Sequence, residues 1–304
     1  MSSDLVMASA ELSLNPAQFI GIPIALIGAV FLSFGAQLQH SGVKKVEARS
    51  QQVTGGLAPK QLGALFRRPS WVFGTLMLGA AIVFQLGSLS FSPLIVVQPL
   101  GAVALVITAI LNSRVSHSKL NRASVISIVM CVGGVGLFVL IAAFSAVDTP
   151  VSDQQLETIV SIMGIVLVVF VVAFALFRKR MKAFAYIVGA GVIYGFVATL
   201  AKVVISRLQQ GDFEWLTLIC LLGMIVGSAA GAYLIQTAYT LGPPDLVIAG
   251  LTVIDPMVAV GIGIAVLGEA SQAPPVALVG FVLTGILAIL GVFGLSKYHP
   301  QSEH

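Results

Sequence analysis

The chain has 304 residues, of which 58% are hydrophobic and only 9% charged, with a mean hydropathy of +1.03. A soluble domain carries about a quarter charged residues, so this chain lacks the polar surface to face water and takes lipid as its solvent. Its 16 Lys and Arg against 12 Asp and Glu give +4, too small an excess to point to nucleic acid.

A membrane helix needs about 20 mostly apolar residues. Nine such runs follow in chain order, at 19–40, 70–90, 93–112, 122–145, 155–177, 183–207, 214–240, 245–268 and 275–296. Breakers or charges mark the joints: Ser92-Pro93 after the second, Arg178-Lys179-Arg180 after the fifth, Gly242-Pro243-Pro244 after the seventh and Ala273-Pro274-Pro275 before the ninth. Proline at a helix start loses nothing, because its missing N–H has no partner there. The cysteines, Cys131 and Cys220, both fall inside apolar runs and form no CxxC or metal-ligand spacing. Residues 1–18 carry Asp4 and Glu11 and no Lys or Arg, so they read as an extracytoplasmic segment and not as a cleavable signal.

Basic residues set the orientation of a membrane chain. Lys44, Lys45, Arg49, Lys60, Arg67 and Arg68 lie between runs one and two, taken as a loop over 41–69. Arg114, Lys119 and Arg122 lie between three and four, Arg178, Lys179, Arg180 and Lys182 between five and six, and Lys297 after nine. With strict alternation, these 14 of the 16 basic residues share one side, while Asp4, Glu11, Asp148, Asp153, Glu157, Asp212 and Glu214 share the other with Arg207. The expected arrangement is a multi-pass protein of the plasma membrane, N-terminus outside and the tail 297–304 cytoplasmic.

A shift of 157 residues lays run three on run eight. Leu94, Val96, Pro99, Ala102, Val103 and Ile107 meet Leu251, Val253, Pro256, Ala259, Val260 and Ile264, and Gln98-Pro99 meets Asp255-Pro256. The register continues to Gly134-Val135 on Gly291-Val292, and with a small offset Phe34 through Leu38 meets Phe196 through Leu200, so that His40 faces Lys202. The fold class expected is an all-α polytopic membrane protein of nine transmembrane helices. A single transmembrane domain, 19–296, would hold two inverted four-helix repeats (19–145, helices 1–4, and 183–296, helices 6–9) joined by helix 5 (155–177). Inverted repeats are a signature of secondary transporters, because two pseudo-symmetric halves can exchange shapes and open a site first to one side and then to the other.

Ionisable groups at membrane depth are costly and mark functional candidates. Asp255 lies near the middle of run eight, its side chain too short to reach the headgroups. It precedes Pro256, which frees a backbone carbonyl four residues earlier, at Thr252. Pro256 and its counterpart Pro99 are the expected helix kinks. Lys202 either snorkels to the outer headgroups or contributes to a polar path, and His40 sits at the inner end of run one. Gln37, Gln39, Gln85, Gln98 and Gln236 either tie helices together or line the same path. Glu269 ends run eight, with Asn112 as its counterpart inside. The candidate contacts for substrate or coupling ion are therefore Asp255, Gln98, Gln85, Gln236, Lys202 and His40, with Asp255 and Glu269 the candidates for a metal. The small faces Gly223, Gly227, Gly231 and Gly191, Gly195 read as helix packing.

Several stretches bear a family likeness. They are Trp71-x-x-Gly74, then Leu86-Gly87-Ser88-Leu89-Ser90-Phe91-Ser92-Pro93 running into Gln98-Pro99-Leu100-Gly101-Ala102, the basic end Gly42-Val43-Lys44-Lys45, and Gln236-Thr237-Ala238, Gly242 and Gly268-Glu269. On these the chain resembles the drug/metabolite transporter superfamily and, within it, the NIPA-type magnesium transporters. It departs from that branch at Met77-Leu78-Gly79-Ala80-Ala81, where the branch carries an acidic residue. The resemblance implies transport of a small solute or a divalent cation such as Mg2+.

Other classes remain in view. They are an exporter of a small metabolite, a lipophilic cation or a lipid-linked substrate, a channel, and a membrane assembly protein without flux. An intramembrane enzyme is not expected, since there is no HExxH, no GxSxG and no pair of membrane aspartates. No cofactor is expected. The expected partners are the substrate and the lipid bilayer, with room for a homodimer and none for nucleic acid.

Overall fold

The computed structural model describes residues 16–50, 67–115, 121–148, 150–177, 182–211, 214–242 and 244–298. Among these, nine helices are long and apolar enough to cross a membrane, in the order expected. They are span one (Pro16–Ser50), two (Pro69–Phe91), three (Leu94–Val115), four (Arg122–Ser145), five (Asp153–Phe177), six (Ala183–Gln210), seven (Trp215–Leu241), eight (Pro244–Ala265) and nine (Pro275–Tyr298). The connection after span one begins later than the sequence suggested. The helix does not stop near residue 40 but runs to Ser50, so the stretch with Lys44, Lys45 and Arg49 continues the helix instead of opening a loop. No Gly or Pro interrupts residues 43–50, and a helix leaving the bilayer has no reason to end there. Residues 51–66 of that connection, and the tail from 299, lie outside the described residues.

The two prolines expected to kink their helices act differently. Pro99 lies in a 3-10 turn, Gln98–Leu100, that splits span three into Leu94–Val97 and Gly101–Val115. Pro256 lies inside the continuous helix of span eight.

Glycine sets how closely the spans approach. Gly21, Gly28, Gly35 and Gly42 recur every seven residues on span one, and each faces span two or its end. A Cβ on Gly35 would stand 3.0 Å from the Gly74 carbonyl oxygen, and one on Gly74 would stand 2.6 Å from the Gln39 nitrogen. A seven-residue period is two helical turns, the repeat that keeps one seam of a left-handed pair in register. Spans four and nine meet as closely: a Cβ on Gly134 would stand 2.5 Å from the Ala288 nitrogen, and one on Gly291 would strike the Cys131 backbone.

Contacts between helix ends fix the alternation of the spans. Val147 N donates to Glu269 O, joining the ends of spans four and eight. Gln155 at the start of span five donates to the carbonyl of Val266, and Gln209 at the end of span six to that of Ser90 at the end of span two. This face also carries Asp148, Asp153 and Glu214, and is called the acidic face below. The opposite, basic face joins Asn121 to the carbonyl of Tyr298. Span six is the centre of the bundle, with 72% of its apolar window buried against 17% for span five. The first turn of span three, Leu94 to Val97, is fully buried.

Candidate functional site

Two buried polar regions lie between the spans. The first is a cavity of about 630 Å³, walled by spans one, two, three, six, seven and eight. Its polar lining is Gln85, Gln98, Tyr194, Ser228, Thr252 and Asp255; alanine, glycine, leucine and valine supply most of the remaining wall. Asp255 reaches it because span six approaches span eight at Gly191 and Gly195, which lie against Ile254, Val258 and the backbone of Asp255. The Ser228 and Thr252 hydroxyls donate to the carbonyls of Met224 and Ile248 in their own helices, which leaves oxygen lone pairs for the cavity. Pro256 has no N–H for the Thr252 carbonyl, so that oxygen too is freed at this level. Asp255 Oδ1 is buried and has no hydrogen-bond partner among the described residues. A buried carboxylate oxygen without a donor is expensive, and a native structure keeps such a group where something else comes to it.

The second region lies just beyond the cavity toward the acidic face. Its framework is the joint Ser92-Pro93. Pro93 has no N–H for the Leu89 carbonyl, and as the residue before the helical turn Leu94–Val97 it leaves the N–H groups of Leu94 and Ile95 without intrahelical acceptors. Both deficits are met from the second half of the chain. Lys202 Nζ, on span six, donates to Leu89 O at 2.9 Å and Ser92 O at 3.1 Å, and pairs with Asp148 Oδ2 at 2.8 Å. Glu269 accepts from Leu94 N on Oε1 at 2.7 Å and from Ile95 N on Oε2 at 2.8 Å. Glu269 enters the bundle because Gly268 takes φ +70, where other residues are strained, and because Gly263 has no Cβ, which would stand 2.8 Å from Oε2. Burial pushes the Glu269 carboxyl up from 4.5 to about 7, against the pull of the two N–H groups and of Lys202; Asp148 adds to the rise. Farther out, Arg207 pairs with Asp153.

Asp255, Gln98 and Gln85 thus share one cavity, as their residue types suggested. Lys202 does not pair with Asp255; it is 2% exposed and neither snorkels nor lines the cavity. Gln236 lies exposed on span seven and away from the lining. The side chain of His40 lies outside the described residues. Asp255 and Glu269 occupy separate regions, and among the described residues no group of three His, Cys, Asp or Glu is placed to hold a metal. Sequence reasoning missed Tyr194 and Asp148. Tyr194 stands between Gly191 and Gly195 on the small face of span six, which placed it beside span eight. Asp148 lies in a connection, where no periodicity points.

The family model described as magnesium transporter NIPA matches residues 17–210, from the first span through the end of the sixth. An uncharacterised protein of Corynebacterium glutamicum is 21% identical over 283 residues, 92% of this chain and 96% of that one. Human magnesium transporter NIPA4 is 24% identical over 230 residues, 75% of this chain and 48% of the human one, so the chain spans about half the length of that relative. The probable magnesium transporter NIPA1 of Arabidopsis thaliana is 24% identical over 127 residues, 42% of this chain and 36% of that one. No solved structure matches. With a family model matching the larger part of its length and nine apolar helices long enough to cross a membrane among the described residues, this chain belongs to the magnesium transporter NIPA family of membrane transporters.

Proposed function

We propose that the protein is a secondary transporter of a small cation, Mg2+ first among the candidates, and that Asp255 receives it midway across the membrane. The observation that carries this reading is Asp255 on the wall of a cavity of about 630 Å³, with one carboxylate oxygen buried and unpartnered among the described residues. Mg2+ demands six oxygens at near-octahedral geometry and gives up water reluctantly. One carboxylate does not supply that set, so Mg2+ would reach Asp255 with most of its water shell in place.

Alternating access accounts for the second region. The bonds of Lys202 and Glu269 to the Ser92-Pro93 joint all run between the first and second halves of the chain. They lie immediately beyond Leu89 and Ala201, which wall the cavity. They act as the closed gate of the acidic face, and entry from that face requires them to part. Reciprocal contacts support the inverted repeat: Gly134 meets Ala288 and Gly291 meets Cys131, and the 157-residue shift exchanges these two pairs. The basic clusters support a cytoplasmic basic face, which puts the closed gate outside. An impermeant thiol reagent on intact cells should label a cysteine at Ser152 and not one at Ser50.

The test is Mg2+ uptake into proteoliposomes holding a Mg2+-sensitive dye. Saturable uptake by the wild-type protein, lost in Asp255→Asn with expression and melting temperature retained, is the expected result. Undetectable uptake in either direction, with or without a pH gradient, would remove Mg2+ from the reading.

A further inference from the structure

We infer that the Asp255 cavity also binds monovalent organic cations, namely ammonium ions carrying an apolar body about the size of a benzyl group. This goes beyond the Mg2+ reading and stands or falls separately from it. Three features of the cavity point to this ligand class.

The first is the ratio of charge to wall. Asp255 is the carboxylate among the lining residues, and between it and the other polar groups the wall is Ala, Gly, Leu, Ile, Val and Met. An apolar body is drawn to such a wall. Small-molecule sites have this composition, mostly apolar with a few placed polar groups, and volumes of about 300–1,000 Å³; this cavity, at about 630 Å³, falls among them.

The second is the aromatic ring. Tyr194 lines the same cavity and lies close enough to Asp255 to interact with it electrostatically. One ring edge is seated on Gly231, where a Cβ would stand 2.7 Å from Cε2. A cation held by Asp255 is then presented to a fixed aromatic ring, and ring faces attract weakly hydrated cations.

The third is that, among the described residues, no internal cation competes. Lys202 is one residue beyond Ala201 of the cavity wall, yet its amine is held by Asp148 and by the Leu89 and Ser92 carbonyls. Arg207 is turned toward Asp153. Asp255 Oδ1 is left without a donor, and a ligand ammonium or a quaternary ammonium completes the pair. The tertiary arrangement thus reserves one negative charge, walled by hydrocarbon and one ring, for a single positive charge on an apolar carrier.

The probe is benzyltrimethylammonium, titrated calorimetrically into the detergent-solubilised full chain, alone and with Mg2+ present. One binding event per chain is expected, weakened by Mg2+ in competition for Asp255. Asp255→Asn should weaken it by at least about thirtyfold, the effect of removing one partner of a buried charge pair. Tyr194→Leu should weaken it by roughly threefold to tenfold, the scale of a cation–π contact. If Asp255→Asn does not fold, the Tyr194→Leu titration and the Mg2+ competition on the wild type decide. Absence of binding by wild type at millimolar probe, or binding that neither variant nor Mg2+ alters, overturns the inference. Binding of the probe without any Mg2+ flux leaves this inference standing and removes the Mg2+ reading, and Mg2+ flux without probe binding does the reverse.

Discussion

The molecule buries two carboxylates and treats them oppositely. Glu269 receives two backbone N–H groups at 2.7 and 2.8 Å, with Lys202 acting on it from span six. Asp255 has an oxygen equally removed from solvent and no donor for it. The backbone around each is opened by a proline: Pro93 frees the Leu89 carbonyl, which Lys202 takes, and Pro256 frees the Thr252 carbonyl, which lies at the level of the cavity. The first proline break is satisfied by Lys202, and the second lies beside the cavity that Thr252 and Asp255 line. A satisfied buried charge holds elements together, whereas an unsatisfied one waits for a ligand.

The sharpest way to break this contrast is to remove each charge and compare what is lost. Asp255→Asn should reduce saturable flux to background while leaving the melting temperature unchanged or higher, because it removes a buried charge that has no donor. A marked fall in thermal stability would show that Asp255 has structural partners after all. Glu269→Ala should behave in the opposite sense. It strands two buried N–H groups, and should cost about 3 kcal/mol of stability in a denaturation series, with Glu269→Gln recovering part of it. Retained stability in the Ala variant would deny the clasp its structural role.

Acidity sharpens the same contrast. Clasped Glu269 has its carboxyl pushed up to about 7, and a water-exposed glutamate returns to its ordinary 4.5. Between those values the clasped state holds the extra proton, so acid favours the Glu269 contacts and rising pH favours their parting. A cysteine in place of Ala201, in a chain lacking Cys131 and Cys220, should be labelled from the acidic face several-fold faster at about pH 8 than at about pH 5 once its rate is divided by that of a freely exposed thiol at the same pH, which removes the thiolate's own pH dependence. Glu269→Gln should abolish that dependence. A normalised rate that falls with rising pH would reverse the sign of the linkage. The smallest effect is expected for the neighbouring ion pair. In a double-mutant cycle of Lys202→Met and Asp148→Asn, the coupling should be about 1 kcal/mol. Much of what Lys202 holds is backbone carbonyl, which the Asp148 change leaves in place.

Much of the fold was legible because lipid allows few alternatives. Apolar runs of sufficient length, separated by Ser92-Pro93, Gly242-Pro243-Pro244 and Arg178-Lys179-Arg180, marked the nine spans. The convergence of Asp255, Gln85 and Gln98 on one cavity was legible from their cost in a bilayer. The error over Gln236 came from treating residue type as sufficient: on span seven it falls on an exposed face, and a glutamine near a helix end gains nothing from burial. The partners of Glu269 could not be read at all, because backbone N–H groups have no letter in the sequence. The Leu89 carbonyl could have been foreseen from Pro93, and the close seam of spans one and two from Gly21, Gly28, Gly35 and Gly42. Both depend on backbone left bare, by a missing hydrogen or a missing side chain.

The crossing of spans four and nine is of a particular kind. The pairs Gly134 with Ala288 and Gly291 with Cys131 are interchanged by a shift of 157 residues, so under that shift the crossing maps onto itself. A joint with that property looks the same from either half, and has no preferred direction of turn. Under the alternating access proposed above it would serve as an axle, about which the elements on either side trade places while its own neighbours stay fixed. On that proposal motion is left to the spans that do not map onto themselves, and the least replaceable residues of the seam are two glycines, Gly134 and Gly291, which lie away from the cavity wall.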